Sequence, residues 1–313
     1  MPTPASPEPG FFARLFLSPS ERRLRAFWRL AIQTFLMLGL MFCVGVALMA
    51  PYLILTGFEP ADLPFLALSE VVELAAITVS IVLVRRFVDR RSFASLGFRL
   101  DRRAASDLAA GLGIAFTLMG LIYLLMSALG WVRFEGFAWQ TQPLPAVLGG
   151  GLGMLLLFVL TGWNEELLSR GYHLQTIASG TNLTWGVLLS SLLFGLLHLT
   201  NPGATWIAVL GVALAGLMLA YAYVRTGQLW LSIGLHIGWN FCEGPLFGFA
   251  VSGLDFFHLV HIAVHGPDAW TGGVFGPEAG LIVLPALAIG IALIFVYSRF
   301  VQPRGSPPGS SRP

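Results

Sequence analysis

Apolar residues come in eight long runs, and the short stretches between them hold most of the charge. The runs fall at roughly 27–57, 63–86, 105–130, 143–164, 184–200, 204–224, 229–249 and 279–300. Runs of about 18 or more apolar residues are long enough to cross a bilayer as helices. Helix breakers sit between them: Pro60 and Pro64, Pro143 and Pro145, Pro202-Gly203, and Gly227. The pattern predicts an all-α fold, a polytopic membrane bundle of about eight transmembrane helices. It divides the chain into a basic N-terminal tail (1–26), a first set of transmembrane helices (27–142), and a core with the polar intramembrane residues (143–250). An outer loop with the last helix (251–300) and a Pro- and Ser-rich, disordered C-terminal tail (301–313) follow.

Composition agrees with that pattern. The 313 residues are 56% apolar and 11% charged, where a soluble domain carries about 25% charge. All 18 basic residues are Arg and the net charge is +2, too weak a balance to argue for nucleic acid. With the N-terminus in the cytoplasm and the loops assigned alternately, 17 of the 18 arginines fall inside and only Arg133 outside. The expected location is the plasma membrane with both termini cytoplasmic. Residues 11–29 read either as an interfacial amphipathic segment or as a plain basic flank. Cys43 and Cys242 lie in apolar runs and imply neither a disulfide framework nor a zinc–cysteine site.

Chemistry enters at Glu165-Glu166, which interrupt the fourth apolar run. An ionisable side chain at bilayer depth costs on the order of 2.5 kcal/mol or more, so a pair of them is a functional signal. Neighbouring helical residues point about 100° apart, so the two acids face different ways. Glu166 and Arg170, at i,i+4 with the acid first, form a supporting ion pair and leave Glu165 free. Gly180 is the expected C′ residue of this helix and Asn182 or Thr181 the cap of the next. A hairpin there brings Glu165 opposite His198, within a mismatch of about 4–5 Å. His236 and Asn240, again at i,i+4, line one face of a later helix, with Glu243 near the same stripe. An acid and an imidazole sharing one water, with nearby donors for an oxyanion, suit amide hydrolysis. No Gly-x-Ser-x-Gly, Ser–Lys or His-Glu-x-x-His arrangement offers another route.

The series Glu165-Glu166-x-x-x-Arg170, Phe194-x-x-x-His198 and His236-x-x-x-Asn240 resembles the three motifs of the CPBP family. These are intramembrane glutamic endopeptidases, also called CAAX prenyl protease 2-like or Abi proteins. The resemblance covers roughly residues 145–250. It implies Glu165 as the water-activating acid, His198 as its partner, and His236 and Asn240 in oxyanion stabilisation. Glu166 and Arg170 become the supporting pair and Phe194 the motif aromatic. It also implies an eight-helix bundle with an intramembrane cavity, no cofactor, and a membrane-associated peptide or protein substrate, of prenylated CAAX or bacteriocin type. The alternatives are a zinc protease built on His198, His236 and Glu165, a proton-coupled transporter, or a non-catalytic immunity protein. Glu70 and Glu73 read as interhelical hydrogen-bonding residues on the non-cytoplasmic half, Glu243 as structural or at the rim, and His173 as solvated. His258, His261 and His265 have helical spacing and read as a surface helix, or as a metal site.

Overall fold

The computed structural model describes residues 10–18, 23–57 and 63–301, so half of the expected N-terminal tail and nearly all of the C-terminal one lie outside the described residues. A short helix α1 (Phe11–Phe16) precedes α2 (Ala26–Thr56) and α3 (Leu63–Leu83), which ends in the π turn Val84–Val88. Helix α4 (Arg102–Ala128) leads to strand β1 (Val132–Phe137) and α5 (Leu144–Glu166). The chain then winds as a π-helix over Leu167–Leu174 and returns to α-helix as α6 (Gln175–Gly180). Helices α7 (Leu183–Leu197), α8 (Trp206–Thr226) and α9 (Trp230–Phe241) follow. Strand β2 (Val260–Val264), the single turn α10 (Asp268–Thr271) and α11 (Val283–Val301) complete the chain.

Seven helical segments among the described residues are long and apolar enough to cross a membrane, and the protein is a polytopic helical bundle. The eighth expected run is different. Helix α9 has 12 residues, prolonged by a five-residue π turn, and Leu231 to Asn240 are all buried. Its neighbours reach it at close range. A Cβ on Gly234 would lie 2.3 Å from the Leu108 carbonyl oxygen, and one on Gly111 2.5 Å from that of Leu231. These glycines let the α4 and α9 backbones touch, as small residues do where membrane helices cross. Gly234→Ala is expected to cost roughly 1–3 kcal/mol by overpacking, read as a lower unfolding temperature in detergent.

The segment 144–180 is continuous helix, about 55 Å long, against a hydrocarbon core of about 30 Å. At its end Asn182 Oδ1 accepts from the Trp185 amide at 3.0 Å, as an N-cap does. Gly180 is not the residue beyond the helix; it is the last helical one. Its lack of a side chain admits α2, since a Cβ there would lie 2.5 Å from Ala26 Cβ. The turn is therefore centred between Thr181 and Asn182. Glu165 lies 16 residues before the first and His198 16 after the second, so the expected mismatch disappears.

On the same side Asp89 gathers Arg29 and Arg85, each at 3.2 Å, and Arg29 donates to Ser179 Oγ at 2.5 Å. These bonds tie α2 to the end of α3 and to α6. At the opposite end of the bundle β1 and β2 pair antiparallel, with Val132 against Val264 and an irregularity between Phe134 and Gly136. This corrects the helix expected around His258, His261 and His265. Val260-His261-Ile262-Ala263-Val264 is rich in β-branched residues, which favour a pleated strand. His258 instead bonds the Gly244 carbonyl at 2.9 Å and Asp255 at 2.6 Å.

Candidate functional site

Three helices and the turn after one of them supply the polar residues expected to act together. Glu165 and Glu166 end α5, Phe194 lies on α7, His198 follows it, and His236 and Asn240 lie on α9. Glu165, His198, His236 and Asn240 line one cavity of about 760 Å³. The two adjacent acids do face apart: Glu166 is fully buried, whereas the Glu165 side chain keeps 28% of its surface open.

Glu166 organises the wall. Its Oε1 accepts from Arg170 Nη1 at 2.7 Å and from His236 Nδ1 at 2.9 Å. Arg170 also donates through Nη2 to the Gly216 carbonyl at 3.1 Å, and its guanidinium stacks 4.2 Å from the Phe194 ring centre. Phe194 in turn sits 4.9 Å from the His198 ring and 5.9 Å from that of His236. The aromatic thus packs against the guanidinium and both imidazoles, which fixes their relative positions.

These bonds assign the ring nitrogens. A carboxylate and a carbonyl oxygen can only accept, so His236 Nδ1 donates to Glu166, and His198 Nδ1 donates to the Phe194 carbonyl at 2.9 Å. Both rings then turn Nε2 toward Glu165. Glu165 Oε2 lies 3.9 Å from His198 Nε2 and 3.6 Å from His236 Nε2, and accepts no hydrogen bond from the described residues. In a neutral ring Nε2 carries a lone pair, so carboxylate and imidazole face each other as two acceptors. A water about 2.75 Å from both Glu165 Oε2 and His198 Nε2 would subtend about 90°, close to its own H–O–H angle. The gap is too wide for a direct bond and suits a water donating to both.

Other expectations need correction. Glu70 does bond between helices, accepting from Thr161 Oγ1 at 2.7 Å and Asn164 Nδ2 at 2.9 Å. Helix α3 packs along α5 and also brings both Glu70 and Glu73 into the cavity wall. His173, expected in solvent, is 7% exposed and lines the same cavity. The π-helix explains its position. In an α-helix each fourth residue overshoots a full turn by about 40°, and a wider π stretch cancels that drift. Glu165, Ser169, His173 and Ile177 therefore stay on one lining stripe. Glu243 is fully buried behind the wall, and neither of its oxygens has a hydrogen-bond partner among the described residues.

Glu278 was not anticipated. It is buried at the cavity, accepting from Trp239 Nε1 at 3.0 Å and Ser252 Oγ at 2.5 Å. An acid directly before the last apolar run was the available signal. No group of three or more His, Cys, Asp or Glu among the described residues has metal-site geometry, so the zinc alternative gains no support.

Residues 147–242 match the family described as type II CAAX prenyl endopeptidase, Rce1-like. The match takes in all seven residues of the three motifs and falls within the expected core 143–250. No curated protein matches the chain.

Proposed function

We propose, from the premise that residues 147–242 carry the domain of the type II CAAX prenyl endopeptidases, that this integral membrane protein hydrolyses peptide bonds with a glutamate-activated water. The observation that supports the mechanism is the pair of acceptors, Glu165 Oε2 and His198 Nε2, 3.9 Å apart. Water held between them attacks the scissile carbonyl, and its proton passes to Glu165. The C–N bond then breaks as Glu165 returns that proton to the leaving amine. His198 orients the water through Nε2, its ring fixed from behind by the Phe194 carbonyl. The oxyanion receives hydrogen bonds from the Asn240 amide and from His236, which donates through Nε2 in its protonated form. Glu166 at Nδ1 supports that form. Glu166 and Arg170 hold α5, α8 and α9 in register and touch no substrate.

The substrate in this reading is a membrane-associated peptide or protein, of CAAX type by the family's description. The arginine distribution supports cytoplasmic termini. Asn240→Ala is expected to lower kcat by about 10²–10³ with little change in KM, as losing one oxyanion donor does. Purified protein incubated with host membranes should release new peptide C-termini, identified by mass spectrometry, and should do so equally after exhaustive chelation. Activity lost on chelation and restored by zinc would overturn the metal-independent mechanism.

A further inference from the structure

We propose that the cavity wall at Ser169 and His173 binds the terminal carboxylate of the substrate peptide and so sets the cleavage point by distance, an inference that rests on the peptidase reading above. Both residues are more than nine-tenths buried, yet both line the cavity. No described residue hydrogen-bonds the Ser169 hydroxyl or the His173 ring, although buried polar groups are normally partnered. Several other polar groups of the wall are already engaged. Glu70 accepts from Thr161 and Asn164, Glu278 from Trp239 and Ser252, and Asn201 donates to the Ser252 carbonyl at 3.0 Å. Glu73 and Glu165 are carboxylates and repel another. A hydroxyl and an imidazole N–H can both donate, so an acceptor suits this wall. Thr34, Ile77 and Ile177 of the cavity lining carry no charge to compete for it.

The spacing selects which acceptor. Ser169 and His173 lie four and eight residues beyond Glu165 on the same stripe, about 6 and 12 Å along the helix. Three extended residues span about 10 Å. With the scissile carbonyl at the water between Glu165 and His198, a tail of three residues ends between the hydroxyl and the imidazole. A tail of two also ends between them, one residue falls short of Ser169, and four run past His173. A CAAX end has three residues after its cysteine.

The test compares a quenched-fluorescence CAAX peptide with a free C-terminus against the same peptide amidated. Wild type, His173→Leu, His173→Asn and Ser169→Ala are assayed, with thermal unfolding of each recorded. For wild type, amidation is expected to raise KM about 10–100-fold, the range for a hydrogen bond to a charged group, with kcat nearly unchanged. His173→Leu should raise KM for the free acid to that of the amide, and the preference should vanish. His173→Asn, which keeps a donor, and Ser169→Ala should each retain part of it. A carboxylate preference undiminished in His173→Leu overturns the proposal. Should wild type cleave neither peptide, both are measured for binding by fluorescence anisotropy. A carboxylate preference in binding that His173→Leu abolishes upholds the subsite while the peptidase reading falls, and equal binding of the two peptides overturns the subsite as well.

Discussion

Glu165→Gln is expected to leave a folded protein that cleaves its substrate roughly 10²–10⁴-fold more slowly, the usual worth of a general base. The amide keeps the size and shape of the carboxylate and removes its ability to take a proton. Stability should change by no more than about 0.5 kcal/mol, because Glu165 Oε2 has no hydrogen-bond partner among the described residues to lose. Nor is the side chain locked in packing, since 28% of it is open to the cavity. Turnover by mass spectrometry and unfolding temperature in the same detergent read the two effects separately. Wild-type turnover in the variant would remove Glu165 from the mechanism.

Arg170→Met should do the opposite, unfolding the protein before chemistry is tested. It deletes the 2.7 Å bond to Glu166, the bond to the Gly216 carbonyl and the stack on Phe194, and leaves a fully buried carboxylate without its counter-charge. Breaking a buried pair by removing one partner costs about 3–5 kcal/mol. Replacing both members with neutral groups removes the stranded charge, so Glu166→Gln with Arg170→Met should recover much of that loss. Arg170→Lys should not rescue, because an ammonium cannot serve the acid, the carbonyl and the ring in one plane. A double variant no more stable than Arg170→Met would show that the charge pair is not what holds the helices.

The separate fates of Glu165 and Glu166 were legible because local helix geometry decides them. Adjacent residues diverge, and an acid four places before an arginine pairs with it. The opposition of Glu165 and His198 was legible for the same reason, since a hairpin converts sequence distance into height. What the sequence hid needed non-local knowledge. His173 was misplaced because 3.6-residue periodicity does not hold through the π stretch Leu167–Leu174. The strand Val260–Val264 was missed because His258, His261 and His265 also satisfy helical spacing, and its partner strand lies about 130 residues earlier. Glu278 joins the wall only by tertiary contact with Trp239 and Ser252. Gly180 was read as a conformational stop when its role is room for Ala26, a contact some 150 residues away.

Helix α9 has a consequence for how the protein is made. It is short and buried, carries His236 and Asn240, and runs into the π turn that holds Glu243. Translocation machinery admits segments by their preference for oil over water, and such groups count heavily against entry. A segment that lipid scarcely touches in the finished protein cannot rely on lipid to draw it in. The place of α9 in the bundle depends on α4, α5 and α8, which pack against it. The polar face that His236 and Asn240 give the cavity therefore exists only once those helices have come together around α9.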